Sequence, residues 1–133
     1  ATLFGLSTAP ATHCRMLEMG CGTGGNLLPL AAAFPESHFV GVDYSGKQIE
    51  TAQARASALG LKNLDFRHAS IADIDASWGN FDYAICHGVY SWVPEPVQDA
   101  ILRVCAENLG PHGIGYISYN TLPGWHLRGM VRE

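Results

Sequence analysis

The sequence predicts an α/β fold built on a doubly wound parallel sheet. Three observations predict it. Short apolar runs alternate with helical patterns along the chain. The first run, Arg15–Met19, passes straight into the glycine-rich turn Gly20-Cys21-Gly22-Thr23-Gly24-Gly25 and then into a helical pattern. A second run, residues 39–43, closes on Asp43, about 20 residues past the start of that turn. Strand–helix–strand units of this kind cross over right-handedly. The glycine turn marks the switch point, so the run before it is central and the expected strand order is 3-2-1-4-5.

Each element has its own signal. Residues 6–13 read as a linker. Asn26 is placed in the first turn of a helix that continues through Leu27, Leu28, Leu30 and the alanines 31–33. Residues 34–37, with Pro35, form a break. The strand 39–43 is apolar on both faces, as inside a parallel sheet. Residues 45–59 carry Ile49, Ala52, Ala56 and Leu59 on one stripe, with Ser45 as N-cap and Gly60 as stop. Residues 61–68 alternate, which predicts a third strand at a sheet edge. Residues 69–78, a loop or short helix, hold Ser70, Asp73 and Asp75. The turn Gly79-Asn80 precedes a fourth strand at 81–87. A loop at 88–96 contains Tyr90 and Trp92, and a helix at 94–109 turns Val97, Ala100, Ile101, Val104 and Cys105 inward. Residues 110–113 read as a tight turn, 114–119 as a fifth strand, 120–125 as a loop and 125–133 as the start of a helix. Both ends look cut: residues 1–5 resemble a helix tail with a glycine stop, and the far end has no closing signal. The expectation is one domain spanning 1–133, a fragment of a longer protein.

Composition bounds the function. The 133 residues are 47% hydrophobic and 15% charged, with net charge -4, which suits one domain with a substantial core. No Lys/Arg run stands out, which argues against a nucleic-acid groove or an anionic membrane surface. No apolar run reaches about 18 residues and no signal-peptide layout is present, so a cytoplasmic protein is expected. The 4 cysteines and 6 histidines show neither a disulfide framework nor metal-ligand spacing, so no metal is expected.

The glycine turn fits two ligand templates. Gly20, Gly22 and Gly25 satisfy the dinucleotide fingerprint, which would imply NAD. Glu18, Gly20, Gly22 and Gly24 satisfy the acidic-x-Gly-x-Gly-x-Gly loop of enzymes that use S-adenosyl-L-methionine (SAM). Glu18 breaks the tie. A carboxylate ahead of the glycines repels a pyrophosphate and favours a ligand with an ammonium group and a sulfonium. The bland reading of Glu18 is a solvated strand-end residue. Asp43 stands where a carboxylate accepts hydrogen bonds from a ribose diol; its alternative is a helix N-cap, a role for which Ser45 is better placed. Tyr44 could lie against an adenine face.

These stretches resemble the class I SAM-dependent methyltransferases, with their Rossmann-like sheet. Leu17-Glu18-Met19-Gly20-Cys21-Gly22-Thr23-Gly24 is similar to their first motif, Val40-Gly41-Val42-Asp43-Tyr44-Ser45 to the next, and Asn80-Phe81-Asp82-Tyr83-Ala84-Ile85-Cys86 to their fourth strand. Residues 86–94 and 118–126 look like bacterial methyltransferases that carry a C-terminal regulatory domain, some of whose relatives methylate protein lysines. The resemblance implies a site. Gly20, Gly22 and Gly24 would cradle the methionine part of SAM, with Cys21 beside them in the loop and its thiol an inert filler. Glu18 would face the ammonium group, directly or through water. Asp43 would hold the ribose hydroxyls and Tyr44 would flank the adenine. His87 and Gly88 would line the floor beneath the sulfonium. The adenine amino group would meet Ser70, followed by Ile71, or Asp73 if the loop is offset. The family's last two strands and N-terminal lid are not visible here. The fifth strand would then be an exposed apolar edge, open to a second copy, an unseen segment or a missing regulatory domain.

The implied chemistry is methyl transfer by in-line displacement, to a nitrogen or oxygen nucleophile of a protein (a lysine included) or of a small molecule. Such transfer mainly needs donor and acceptor held in line and dry. His87 is the base candidate, against a purely structural histidine. Tyr90, Trp92, Tyr119 and Trp125 would form an aromatic acceptor pocket able to surround a cation, or serve as core and lid packing. After the fourth strand the chain reads His87-Gly88-Val89-Tyr90, not the Asn/Asp-Pro-Pro-aromatic motif of nucleic-acid amino methyltransferases, and no Pro-Cys loop follows. A non-catalytic SAM-binding module and an NAD-binding oxidoreductase are the alternatives.

Overall fold

The structure is a computed structural model and describes residues 5–121 and 124–125. The helix tail expected before Gly5 and the helix expected beyond Trp125 lie outside the described residues. The elements are β1 (Arg15–Met19), α1 (Leu27–Ala33), β2 (His38–Asp43), α2 (Gly46–Ala58), β3 (Leu64–His68), β4 (Phe81–Cys86), α3 (Glu95–Asn108) and β5 (Leu109–Ile117). Every strand pair is parallel, and the order is β3-β2-β1-β4-β5, as predicted.

Strand alternation divides the core into two layers. Leu17, Met19, Val40 and Val42 pack on one face of the sheet with Ile101 and Val104 of α3. Met16 and Phe39 point to the other face, where Leu27, Leu28 and Ala31 of α1 and Ile49, Ala52 and Ala56 of α2 meet them. Gly41 makes room on that second face. A Cβ there would stand 2.8 Å from Phe66 and 2.9 Å from the Cys21 sulfur. Glu18 lies opposite Gly41 in the register. The sheet thus sets an acidic residue among apolar groups beneath the start of α1.

The structure moves several boundaries. The third strand begins at Leu64, not at residue 61. Leu61 N instead bonds back to Ala56 O at the end of α2, and Asn63, whose carbonyl accepts from Phe39 N, donates its Nδ2 to the Ala31, Phe34 and Ser37 carbonyls and so serves the open end of α1. Residues 69–78 form two short 3-10 turns, Ile71–Asp73 and Ala76–Trp78. The tight turn expected at 110–113 is instead part of β5. Phe81 pairs with Leu109 and Tyr83 with Ile114, so a two-residue step of β4 faces a five-residue step of β5. The Gly-Pro-His-Gly stretch is absorbed as a bulge, because α3 hands the chain directly to the strand at Leu109. His87 and Tyr119 fall just beyond β4 and β5, respectively.

Candidate functional site

β1 delivers the chain to the glycine loop in a strained path. Gly20, Gly22 and Gly24 have φ of 76°, 55° and 78°, a region that residues with a Cβ rarely occupy. Gly25, the third glycine of the dinucleotide template, does not have positive φ, and a Cβ there would meet nothing within 4 Å. The backbone therefore follows the acidic-x-Gly-x-Gly-x-Gly template. A Cβ on Gly20 would collide with Val89 Cγ2, and one on Gly24 would lie 2.6 Å from Phe66 Cζ. The loop is thus packed on both sides by the chain itself.

Glu18 is 6% exposed. Its Oε1 accepts a hydrogen bond of 3.1 Å from Asn26 Nδ2. Its Oε2 is buried and has no hydrogen-bond partner among the described residues. Burial pushes its carboxyl above the ordinary range, and the Asn26 bond opposes that shift. An unsatisfied buried carboxylate oxygen is costly, and any hydrogen-bond donor or cation that reached it would satisfy it. The solvated reading of Glu18 is therefore wrong: the parallel register and α1 cover it.

Asp43 ends β2 and does two jobs in the fold. Its Oδ2 accepts from Gly22 N at 2.9 Å and its Oδ1 from Ser45 N at 2.8 Å. Ser45 occupies the N-cap position of α2 but its hydroxyl makes no cap bond. The carboxylate of Asp43 holds the N–H of that cap residue and ties it to the glycine loop. A carboxylate has about four acceptor positions, so lone pairs remain for a diol.

Beside these groups lies a cavity of about 500 Å³ lined by Gly20, Asp43, Tyr44, Ser70, Ile71, Val89, Val93 and Val97. This size falls in the range of small-molecule sites. Five residues expected from the sequence (Gly20, Asp43, Tyr44, Ser70, Ile71) meet here at the C-terminal ends of the strands, where doubly wound sheets bind ligands. Ser70 sits at the wall because it caps the Ile71–Asp73 turn, its Oγ accepting from Ala72 N. Asp73 is engaged in the same capping box, accepting from Ser70 N at 3.2 Å. Ser70 rather than Asp73 is in the cavity wall. Sequence reasoning missed the apolar wall of Val89, Val93 and Val97. Its signal was the helical spacing of Val93 and Val97 across the start of α3.

Glu18, Cys21, Gly22, Gly24, His87 and Gly88 are outside that lining. Cys21 is buried, and desolvation with the nearby Glu18 and Asp43 carboxylates pushes its thiol up to about 12, consistent with an inert filler. His87 is exposed and stacks on Tyr116, with ring centroids 6.1 Å apart and planes 28° apart. Gly88 has φ 69°, and its N–H donates to Ser118 Oγ at 2.8 Å. The two aromatic loops do come together: Tyr90 meets Tyr119 at 6.2 Å and Trp92 meets Trp125 at 5.9 Å, edge-on. Asn120 N donates to Ser91 Oγ at 2.8 Å and holds them in register. Among the described residues no group of three or more His, Cys, Asp or Glu is placed to hold a metal ion, and no helix is long and apolar enough to cross a membrane.

This sheet order, with a glycine loop after β1 and a carboxylate at the end of β2, defines the Rossmann-like methyltransferase fold. Residues 16–113 match the family described as a methyltransferase domain, and the chain belongs to that family. It is 55% identical over 133 residues to protein RP789 of Rickettsia prowazekii, covering 100% of this chain and 24% of that protein. PKMT2 from Rickettsia typhi in complex with AdoHcy superposes with a TM-score of 0.94 at 46% identity, covering 98% of this chain and 25% of that one. The chain is also 33% identical over 97 residues to ribosomal RNA small subunit methyltransferase G of Bacteroides thetaiotaomicron, covering 73% of this chain and 43% of that protein. It therefore spans only about a quarter of the first two relatives.

Proposed function

We propose that residues 1–133 form the cofactor-binding domain of a SAM-dependent methyltransferase whose acceptor is a nitrogen or oxygen nucleophile of a protein, a lysine side chain among them, or of a small molecule. One observation carries the cofactor reading: the buried Oε2 of Glu18, without a hydrogen-bond partner among the described residues, under a glycine loop of positive φ. That oxygen matches an ammonium group and opposes a pyrophosphate. The AdoHcy held by the 46% identical PKMT2 supports the same reading.

When bound, SAM supplies a methyl group on a sulfonium, already activated for displacement. Glu18 would hold the ammonium end and Asp43 the ribose hydroxyls. Tyr44, Ser70 and Ile71 would take the adenine, against the apolar wall of Val89, Val93 and Val97, which keeps that end of the site dry. The floor near the reacting methyl falls to His87 and Gly88, at the end of β4. His87, exposed and steadied by Tyr116, is the group available to take a proton from an acceptor that arrives protonated. Tyr90, Trp92, Tyr119 and Trp125 present aromatic surface that suits an ammonium acceptor. Net charge of -4 favours a cationic acceptor over a phosphate-rich one.

Calorimetry with SAM, S-adenosylhomocysteine and NAD tests the reading. Binding of the first two, with NAD much weaker, is expected. NAD binding without SAM binding would overturn it.

A further inference from the structure

We propose that Asn26 is a positioning residue for the cofactor site: it clamps one oxygen of Glu18 so that the other is presented to the ammonium group of an amino-acid-bearing cofactor. The inference rests on the SAM reading above.

Asn26 occupies the N-cap position of α1, with φ -87° and ψ -43°, and makes no side-chain cap bond. Asparagine is among the strongest N-cap residues, so a helix start that forgoes its cap has committed this side chain elsewhere. The amide reaches back across the glycine loop to Glu18 Oε1 at 3.1 Å. It is the hydrogen-bond donor to a carboxylate that is 6% exposed and whose second oxygen has no partner among the described residues. Among the described residues no Lys, Arg or His forms an ion pair with Glu18.

The geometry has two consequences. A glutamate side chain has three torsions, and one anchored oxygen removes most of that freedom, so the free oxygen keeps one direction. A donor bond to the charged form also favours ionisation where burial disfavours it. The thiols of Cys21 and Cys86 lie close enough to Glu18 to feel its charge. The two thiols are pushed up to about 12 and about 11, so they stay neutral and add no like charge beside the carboxylate. Asn26 is thus the neutral group that aims Glu18 and opposes the burial that disfavours its charge.

The test separates aiming from helix capping. Asn26→Ser keeps a good N-cap but is too short to reach Glu18; Asn26→Asp keeps the size and sets an acceptor against Oε1. Each is titrated calorimetrically with S-adenosylhomocysteine and with 5′-methylthioadenosine, which lacks the amino-acid portion. We expect both variants to stay folded and to bind S-adenosylhomocysteine roughly tenfold or more weakly, with 5′-methylthioadenosine affinity unchanged. On a Glu18→Gln background the Asn26→Ser change should add no further loss. Unchanged S-adenosylhomocysteine affinity in Asn26→Ser, equal losses for both ligands, or additive losses with Glu18→Gln would overturn the inference while leaving the cofactor reading intact. A wild-type protein that binds neither SAM nor S-adenosylhomocysteine would overturn the cofactor reading and this inference with it.

Discussion

Glu18 and Asp43 are both carboxylates at strand ends, yet the fold treats them differently. Asp43 is met by two backbone N–H groups, whereas Glu18 is buried with one side-chain donor. Burial raises the Glu18 carboxyl above its ordinary value of 4.5. The folded chain then keeps this proton at pH values where the unfolded chain has released it. The stability so gained is full below about pH 4.5 and is lost as pH rises through the folded-state value. Cofactor binding runs the other way, because only ionised Glu18 attracts an ammonium group, so affinity falls as pH falls through the same value. Glu18→Gln should remove both effects. Relative to wild type, its melting temperature should gain as pH rises from about 4.5 through the folded-state value and then level off, while SAM affinity drops by roughly 10–100-fold. Paired melting curves across that window check it; a constant difference between the two proteins would sink the assignment. Motif spacing in the sequence singled out Glu18 and Asp43 as candidate ligand residues near the ends of β1 and β2, and the structure brings Asp43 to the cavity wall and buries Glu18. The sequence could not show that Asn26 serves Glu18, because that pair closes only once the glycine loop has folded. Nor could it show that Asp43 holds the N–H of Ser45, the cap residue of α2, and of Gly22 at once.

At the scale of elements, the glycine loop separates the two ligand templates. Gly22 has φ 55°, and a Cβ there would approach Gln48 Oε1 at 2.8 Å. Gly22→Val adds a branched side chain to a left-handed backbone that also donates to Asp43. We expect SAM binding to be abolished while the domain stays folded, with stability reduced by about 1–2 kcal/mol. Gly25→Ala should leave both folding and SAM binding unchanged, since that position is open and lacks positive φ. Circular dichroism and SAM titration of the two variants decide it: loss of binding in Gly25→Ala would restore the dinucleotide template. The strands and helices were legible because each buries a periodic apolar pattern. The misread places share one cause, a tertiary partner overriding a local signal. Residues 110–113 spell a turn, but pairing with β4 holds them within β5. Residues 61–63 alternate like a strand, but Asn63 is taken by the end of α1.

For the whole molecule, the sheet order leaves β3 and β5 as edges. The β3 edge is short and polar, with Asp65, Arg67 and His68 among its five residues and an Asp65–Arg67 ion pair at 2.6 Å. Such features discourage pairing with another chain. The β5 edge is longer, nine residues, and carries no Lys, Arg, Asp or Glu. Among the described residues no strand pairs with its outer side. Its exposed side chains include Tyr116, 52% accessible, and its backbone N–H and C=O groups form a row on which a further strand can grow. Isolated residues 1–133 should therefore self-associate or precipitate as concentration rises, and Tyr116→Lys should shift them towards monomer by placing a charge on the edge. Tyr116 lies outside the cavity wall but stacks on His87, so retained secondary structure and melting temperature, rather than SAM affinity, separate edge pairing from damage to the fold. Sedimentation velocity across a concentration series, run alongside circular dichroism of both proteins, measures the two effects together. A wild-type chain that stays folded, monodisperse and monomeric throughout the series would show that the β5 edge needs no cover.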